Sequence, residues 1–419
     1  MPAHTARKGE LFGAPNPPVQ PSGPGALNVA LYPYVPSPEA FVAATQSAWS
    51  QVQPNVTLNF VSYDPYQGPP DPNLDVFAFD CIFADDLVSG SFVDPIGWAE
   101  IENTSDLLPF AFECAQIDTN RAAGIPYLGC TSVLYYRAGD PDLDNQNPLG
   151  VEDLASILGI AEYPGPAPPP DRGLIMDLGG KTTDACIYAS IWRQQYQEWW
   201  PTPISTQLPP NLDPAALHQL IAYAAMIGQA GALYSDDSGH DRTGWFENLL
   251  GRAMVGLTET MSGWPPAFLE TIKLRPMPIA ATGNATKIPC YADALGIRQG
   301  LGAKRAWAVQ LANVAASASV VFAALSPSPT TQYLMPARQS VLTQLSQVLP
   351  KYAAIEAMLS SLALEPFRLG PGVRAWARPA GAAIIAQLFP SATEEDVAPR
   401  RRRHHLHHTT PAGMWRRGE

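Results

Sequence analysis

Charge is scarce in this chain, and positive charge is scarcest. Only 15% of the 419 residues are charged, with 26 Lys and Arg against 38 Asp and Glu. Six of those bases and one acid lie in residues 398–419, leaving residues 1–397 with 20 bases against 37 acids. Nucleic-acid phosphates are neutralised by Lys and Arg, so a body this acidic excludes a general nucleic-acid binder. It suits a cationic small molecule better, though ordinary solvation accounts for most of the charge. Histidine is also rare. Outside the cluster His404, His405, His407 and His408 there are only His4, His218 and His240, and no G-x-S-x-G string occurs. A Ser–His triad has little to build on. The five cysteines include no C-x-x-C pair, which argues against a disulfide framework or zinc ribbon. No run of ~18 apolar residues is present, so no membrane span is expected. Arg7 and Lys8 are followed by GELFGAPNPPVQPSGPGA rather than an apolar core. No secretion signal is readable, and the expectation is a cytoplasmic protein that keeps its N-terminus, with export by another route as the alternative.

What the chain does have is apolar residues, 46% of the total, and 44 prolines. That is enough to bury a large core and excludes global disorder. Residues 1–26 read as a Pro/Gly-rich disordered leader and 393–419 as a disordered basic, His-rich tail. Between them, 27–36 reads as a strand, 38–52 as a helix stopped by Pro54, 56–63 as an alternating strand and 75–83 as a buried strand. Strand–helix–strand order with short connections implies an α/β fold with a parallel sheet. Further along, 122–140 reads as a hairpin-like apolar stretch. Residues 154–160, 182–200, 213–234 and 302–325 read as helices, 252–261 and 274–280 as strands. A last helical pattern begins near Gln339, and Pro350 should kink or split it.

Several strings resemble known sites and fail on inspection. GGKTTD (179–184) is similar to a phosphate-binding loop, but the first glycine of that motif would fall on Ile175. It reads instead as a helix N-terminus capped by Thr182 or Thr183. Asp140, Asp142 and Asp144 fit the start of a calcium loop, but Asn145 and Val151 replace its glycine and glutamate. Asp236, His240 and Asp241 share a loop, and the tail histidines sit in a tract unable to form a rigid site. No metal and no cofactor is expected.

The cysteines carry more. Cys81, Cys114, Cys186 and Cys290 read as core thiols. Cys130 stands apart between Gly129 and Thr131, before the strand SVLYYR, where a small neighbour would leave room for a substrate. A nucleophilic thiol needs a base, and with so few histidines that base would be a carboxylate. Glu259, within the apolar run AMVGLTETM, is the best placed. It is either an edge residue or a buried acid of raised pKa suited to proton abstraction. On residues alone, core thiol and nucleophile both stay open for Cys130.

The strings VALYPYVP (29–36), DVFAFDCIF (75–83), GIPYLGCTSVLYYRAGD (124–140), GRAMVGLTETM (251–261) and PCYADALGI (289–297) together resemble thiaminase I, or thiamine pyridinylase, over residues ~27–345. YLMPARQSV (333–341) is similar to the hinge-return segment of type II periplasmic solute-binding proteins, whose two-lobed α/β fold the family shares. The resemblance implies an interlobe cleft crossed by hinge segments, with 27–128 plus 280–330 in one lobe and 129–279 plus 331–392 in the other. It implies Cys130 as nucleophile and Glu259 as its base, with Tyr32, Tyr34, Tyr66, Asp80, Tyr291 and Asp293 binding substrate, and leaves Tyr234 open. One position departs: Leu257 stands where a tyrosine is expected.

The implied substrates are thiamine and an amine or thiol acceptor, handled by a monomer with no nucleic-acid or membrane partner. The thiolate would add to the pyrimidine ring, the thiazole would leave, and the acceptor would take the pyrimidine methyl group. Two other readings compete. One is a solute-binding protein for thiamine or a similar cation. The other, motivated by Leu257, is a diverged transferase on a related pyrimidine. The family is commonly exported, which stands against the cytoplasmic expectation.

Overall fold

The computed structural model describes residues 25–145, 149–160, 173–198, 212–227, 239–283, 285–326 and 331–389. Two sheets organise them. The larger contains β1 (Gly25–Ala30), β2 (Val56–Phe60), β3 (Val76–Asp80), β6 (Ile125–Cys130), β11 (Lys287–Ile297), β12 (Met335–Pro336) and β13 (Ala363–Pro366). Their order is β12-β6-β11-β3-β1-β2, with β13 beside β11. The smaller sheet has the order β10-β7-β9-β8, from β7 (Ser132–Arg137), β8 (Leu174–Ile175), β9 (Ala253–Leu257) and β10 (Ile272–Pro276). A two-stranded ribbon pairs β4 (Ile96–Gly97) with β5 (Arg121–Ala122).

The first unit forms as its sequence dictates. Pro38 starts the helix Pro38–Val52, where a missing N–H costs nothing, and Phe41, Thr45 and Trp49 make its buried stripe. β1 pairs in parallel with both β2 and β3. Every residue of β3 is buried, as a strand covered on both faces requires. Pro350 splits the last helical pattern as expected, opening Pro350–Leu359 directly after Gln339–Val348.

Three expectations change. The stretch 122–140 is no hairpin: β6 belongs to the large sheet and β7 to the small one, so the chain crosses between sheets at Thr131. Both strands are apolar because each is buried in its own sheet. The helix expected over 302–325 is broken into Arg305–Ala315 and Ala318–Leu325, because the Ser317 hydroxyl accepts from Val320 N–H and starts a new helix. Neither threonine caps the helix Lys181–Tyr196. Its N-cap is Gly180, with no side-chain cap.

Candidate active site

The ends of β1, β3 and β6, together with the middle of β11, converge on one cavity of about 940 Å³. Ligands of α/β sheets collect at such carboxyl ends of strands. Register brings the first groups together. Asp293 lies directly across from Asp80, and Tyr291 directly across from Cys130. Tyr291 and Asp293 are two apart on β11, so both face the same side of the sheet.

Glu259 arrives from the small sheet. Ser132 of β7 pairs with Leu257 of β9 in antiparallel register. Cys130 stands two residues before Ser132 and Glu259 two after Leu257, so both project from the same end of that ladder into the cavity. Glu259 is not on the strand, as the sequence suggested. β9 ends at Leu257, and Glu259 sits in the first turn of the 3₁₀ helix Thr258–Gly263. Tyr135 fixes that junction by donating its hydroxyl to the carbonyls of Leu257 at 2.7 Å and Thr258 at 3.2 Å. Thr131 fixes the other side, donating to Pro289 O at 2.6 Å. Arg252, the nearest arginine in sequence to Glu259, is held by Asp140 and Asp142. Those acids, with Asp144 on Lys273, make surface ion pairs rather than a calcium loop.

Gly129 does not make room for a ligand. A Cβ there would stand 2.6 Å from Tyr291 O and 2.9 Å from the Phe110 ring, so glycine is needed for strand and helix to close against each other.

Tyrosines form the mouth. Tyr32, Tyr34 and Tyr66 meet edge to face, with centroids 5.7 and 5.6 Å apart. Tyr34 is 52% exposed and hydrogen-bonds Asp64, which also accepts from Tyr66 N–H. The Tyr66 hydroxyl donates to Asp80 at 2.7 Å and meets that of Tyr32 at 3.0 Å. Burial pushes the Tyr32 and Tyr66 phenols well up, so they remain neutral donors.

Three carboxyls share the cavity. Burial raises Asp80 to about 6, opposed by hydrogen bonds from Ile82 N–H and Tyr66 and by the nearby Arg374. Burial raises Glu259 to about 7. Asp293 is raised well above its ordinary value, by burial first and then by the charges of Asp80 and Glu259. Burial thus favours the neutral form of all three, and at Asp293 the neighbouring carboxyls favour it further. Burial also lifts the Cys130 thiol well above its ordinary value, and Glu259, Asp293 and Asp80 add to the rise.

All eight residues singled out in the sequence line this cavity. Leu257 lines it too, 38% exposed. The other four cysteines are buried, as expected, though Cys186 also touches the cavity. Sequence reading missed Asp64, Tyr135 and Arg374, which act on the site through other residues. Asp64 lies two residues before Tyr66, but nothing local marks its role. Tyr234, Asp236 and the tail histidines lie outside the described residues, and the His240 and Asp241 side chains are likewise not described.

A Thiaminase-1 domain profile matches residues 131–280, which includes Glu259 and begins one residue after Cys130. The chain is 32% identical over 396 residues to thiaminase-1 of Paenibacillus thiaminolyticus, covering 89% of this chain and 92% of that protein. Clostridium botulinum thiaminase I, solved in complex with thiamin, superimposes with a TM-score of 0.79 at 33% identity, covering 86% of this chain and 99% of that one. A maltotriose binding protein of Thermus thermophilus, at 14% identity, matches with a TM-score of 0.59 over 88% of this chain and 98% of its own. That second likeness concerns the fold alone, the two-lobed type II periplasmic-binding architecture. By its identity along nearly the whole length, the chain belongs to the thiaminase I family of thiamine-degrading transferases.

Proposed function

We propose that this protein cleaves thiamine and transfers its pyrimidine methyl group to an amine or thiol, through a covalent adduct on Cys130. The observation that carries the reading is the meeting of Cys130, from the large sheet, with Glu259, from the small one, in a single cavity. We take the two sheets as the cores of the two lobes, which assigns β12 and β13 to the first.

Glu259 accepts the Cys130 proton as sulfur attacks the pyrimidine carbon beside a ring nitrogen. The electron pair displaced onto that nitrogen takes a proton. Asp293, whose neutral form is favoured by burial and by the neighbouring carboxyls, is suited to donate there, while Asp80 accepts from the exocyclic amino group. The two aspartates are equally buried, and what separates their tasks is that Asp80 accepts from Ile82 N–H and the Tyr66 hydroxyl, which favours its ionised form. The thiazolium then departs with the C–N bonding pair as neutral thiazole. Glu259 releases the Cys130 proton to solvent, then takes the acceptor's proton as the acceptor bonds to the methylene. Cys130 leaves with the C–S bonding pair and recovers that proton from Glu259, while the ring nitrogen returns its proton and the ring regains aromaticity. Tyr32, Tyr34 and Tyr66 supply ring faces for the cationic substrate, at about 0.5–2 kcal/mol each.

Incubation of purified protein with thiamine and an amine or thiol tests this. Mass spectrometry should detect free thiazole and the pyrimidine adduct of the acceptor. Thiamine bound but recovered intact would favour the solute-binding reading and overturn this one.

A further inference from the structure

The cavity has a second wall that the chemistry above does not use. The helix Lys181–Tyr196 and the helix Val373–Leu388 meet there, and Lys181, Thr182, Thr183 and Arg378 line the cavity. Gly381 permits the contact, because a Cβ at that position would collide with the Lys181 carbonyl. The close approach brings Arg378, one helical turn before Gly381, beside the start of the other helix. Lys181 and Arg378 are exposed, and neither has an ion-pair partner among the described residues. In a body with so few bases, two uncommitted cations lining the same cavity as three carboxyls make its charge asymmetric. The first-turn N–H groups of Lys181, Thr182 and Thr183 lack a side-chain cap, since Gly180 has none to offer. At about 940 Å³ the cavity is near the upper end of the ~300–1,000 Å³ range of small-molecule sites, with space for more than one reactant.

We propose that Lys181 and Arg378 form a subsite for an anionic group on one of the two reactants. This rests on the transferase reading and narrows its substrate class. The group is either a carboxylate on the acceptor or a phosphate on the hydroxyethyl arm of thiamine. A flexible lysine, a guanidinium fork and uncapped N–H groups recognise both.

The test compares wild type with the double variant K181Q/R378Q on three pairs: thiamine with 2-mercaptoethanol, thiamine with 3-mercaptopropionate, and thiamine monophosphate with 2-mercaptoethanol. Relative to the neutral pair, kcat/KM of the double variant should fall at least tenfold further on one anionic pair. A fall with 3-mercaptopropionate identifies an acceptor carboxylate, and a fall with the monophosphate identifies a phosphate on the donor. Equal changes on all three pairs overturn the proposal. If wild type leaves thiamine untouched with every acceptor, the transferase reading fails separately. Calorimetric titration with inorganic phosphate then judges the subsite: binding weakened at least tenfold in K181Q/R378Q supports it, while equal binding or none overturns it.

Discussion

Glu259→Gln preserves shape and removes one function, the capacity to take a proton. Burial holds Glu259 at about 7, against 4.5 for an ordinary glutamate. The difference corresponds to about 3 kcal/mol at ~1.4 kcal/mol per unit. Its sign follows from linkage. Between pH 4.5 and 7 the folded protein keeps a proton that the unfolded chain has released, so stability falls as pH rises and the full amount is lost above 7. Glutamine has no such loss. The variant should therefore match wild type in stability below pH 4.5 and exceed it by up to about 3 kcal/mol at pH 8. Over the same range kcat should fall by roughly 10²–10⁴, the usual effect of a lost general base. The rising limb of kcat/KM near pH 7 should disappear. Thermal unfolding at pH 4 and pH 8, with thiazole release followed across pH, measures all three. A variant no more stable than wild type at pH 8, with near-normal turnover and its pH limb intact, would falsify the assignment of Glu259 as a buried base.

Cys130→Ser should abolish turnover while leaving thiamine affinity within about tenfold, ~1.4 kcal/mol, by calorimetry; retained turnover would remove the nucleophile. Asp80→Asn should weaken thiamine binding about tenfold or more, because hydrogen bonds and Arg374 favour its ionised form, whereas Asp293→Asn, where burial and neighbouring charge favour the neutral form, should change it only a few-fold. The reverse order would show that the two protonation states are exchanged. Gly129→Ala should lower stability by about 1–3 kcal/mol in denaturant unfolding, because the added methyl meets Tyr291 O and Phe110. An unchanged midpoint would mean that the strand and helix can move apart freely.

Much of this site was legible before any coordinates. Proline spelled out the helices Pro38–Val52 and Pro350–Leu359, and a run of buried residues spelled out β3. What escaped notice depended on partners far along the chain. β6 and β7 are both apolar and nearly contiguous, and no local pattern says that they join different sheets. β9 could have continued through Glu259 by composition. It stops at Leu257, which pairs with Ser132, the first residue of β7. The helix Val373–Leu388 has no counterpart in the sequence reading, because Pro379 and Gly381 interrupt its periodicity. Gly381 lets it close against Lys181, and it brings Arg378 to the cavity and Arg374 near enough to act on Asp80. GGKTTD was recognised as a helix start, but its side chains could be connected to the site only after the two helices were seen to meet.

The electrostatics of Cys130 show why such a site suits a cation. A reactive cysteine is commonly activated by nearby positive charge that lowers its pKa. Here burial and three carboxyls act in the opposite direction, so the free protein holds a neutral thiol. A bare thiolate in this cavity would face both desolvation and like charge. Entry of a thiazolium alters both contributions. It adds a positive charge beside buried carboxyls, where Coulomb interactions are several-fold stronger than in solution. It thereby favours a negative charge on the Glu259–Cys130 pair, first on Glu259 and, once the proton has passed, on Cys130. A neutral pyrimidine of similar shape would bring the same ring to the sulfur without that field. On the proposed mechanism, selection for a cationic leaving group is thus built into the activation of Cys130, and the three carboxyls of the cavity serve this end.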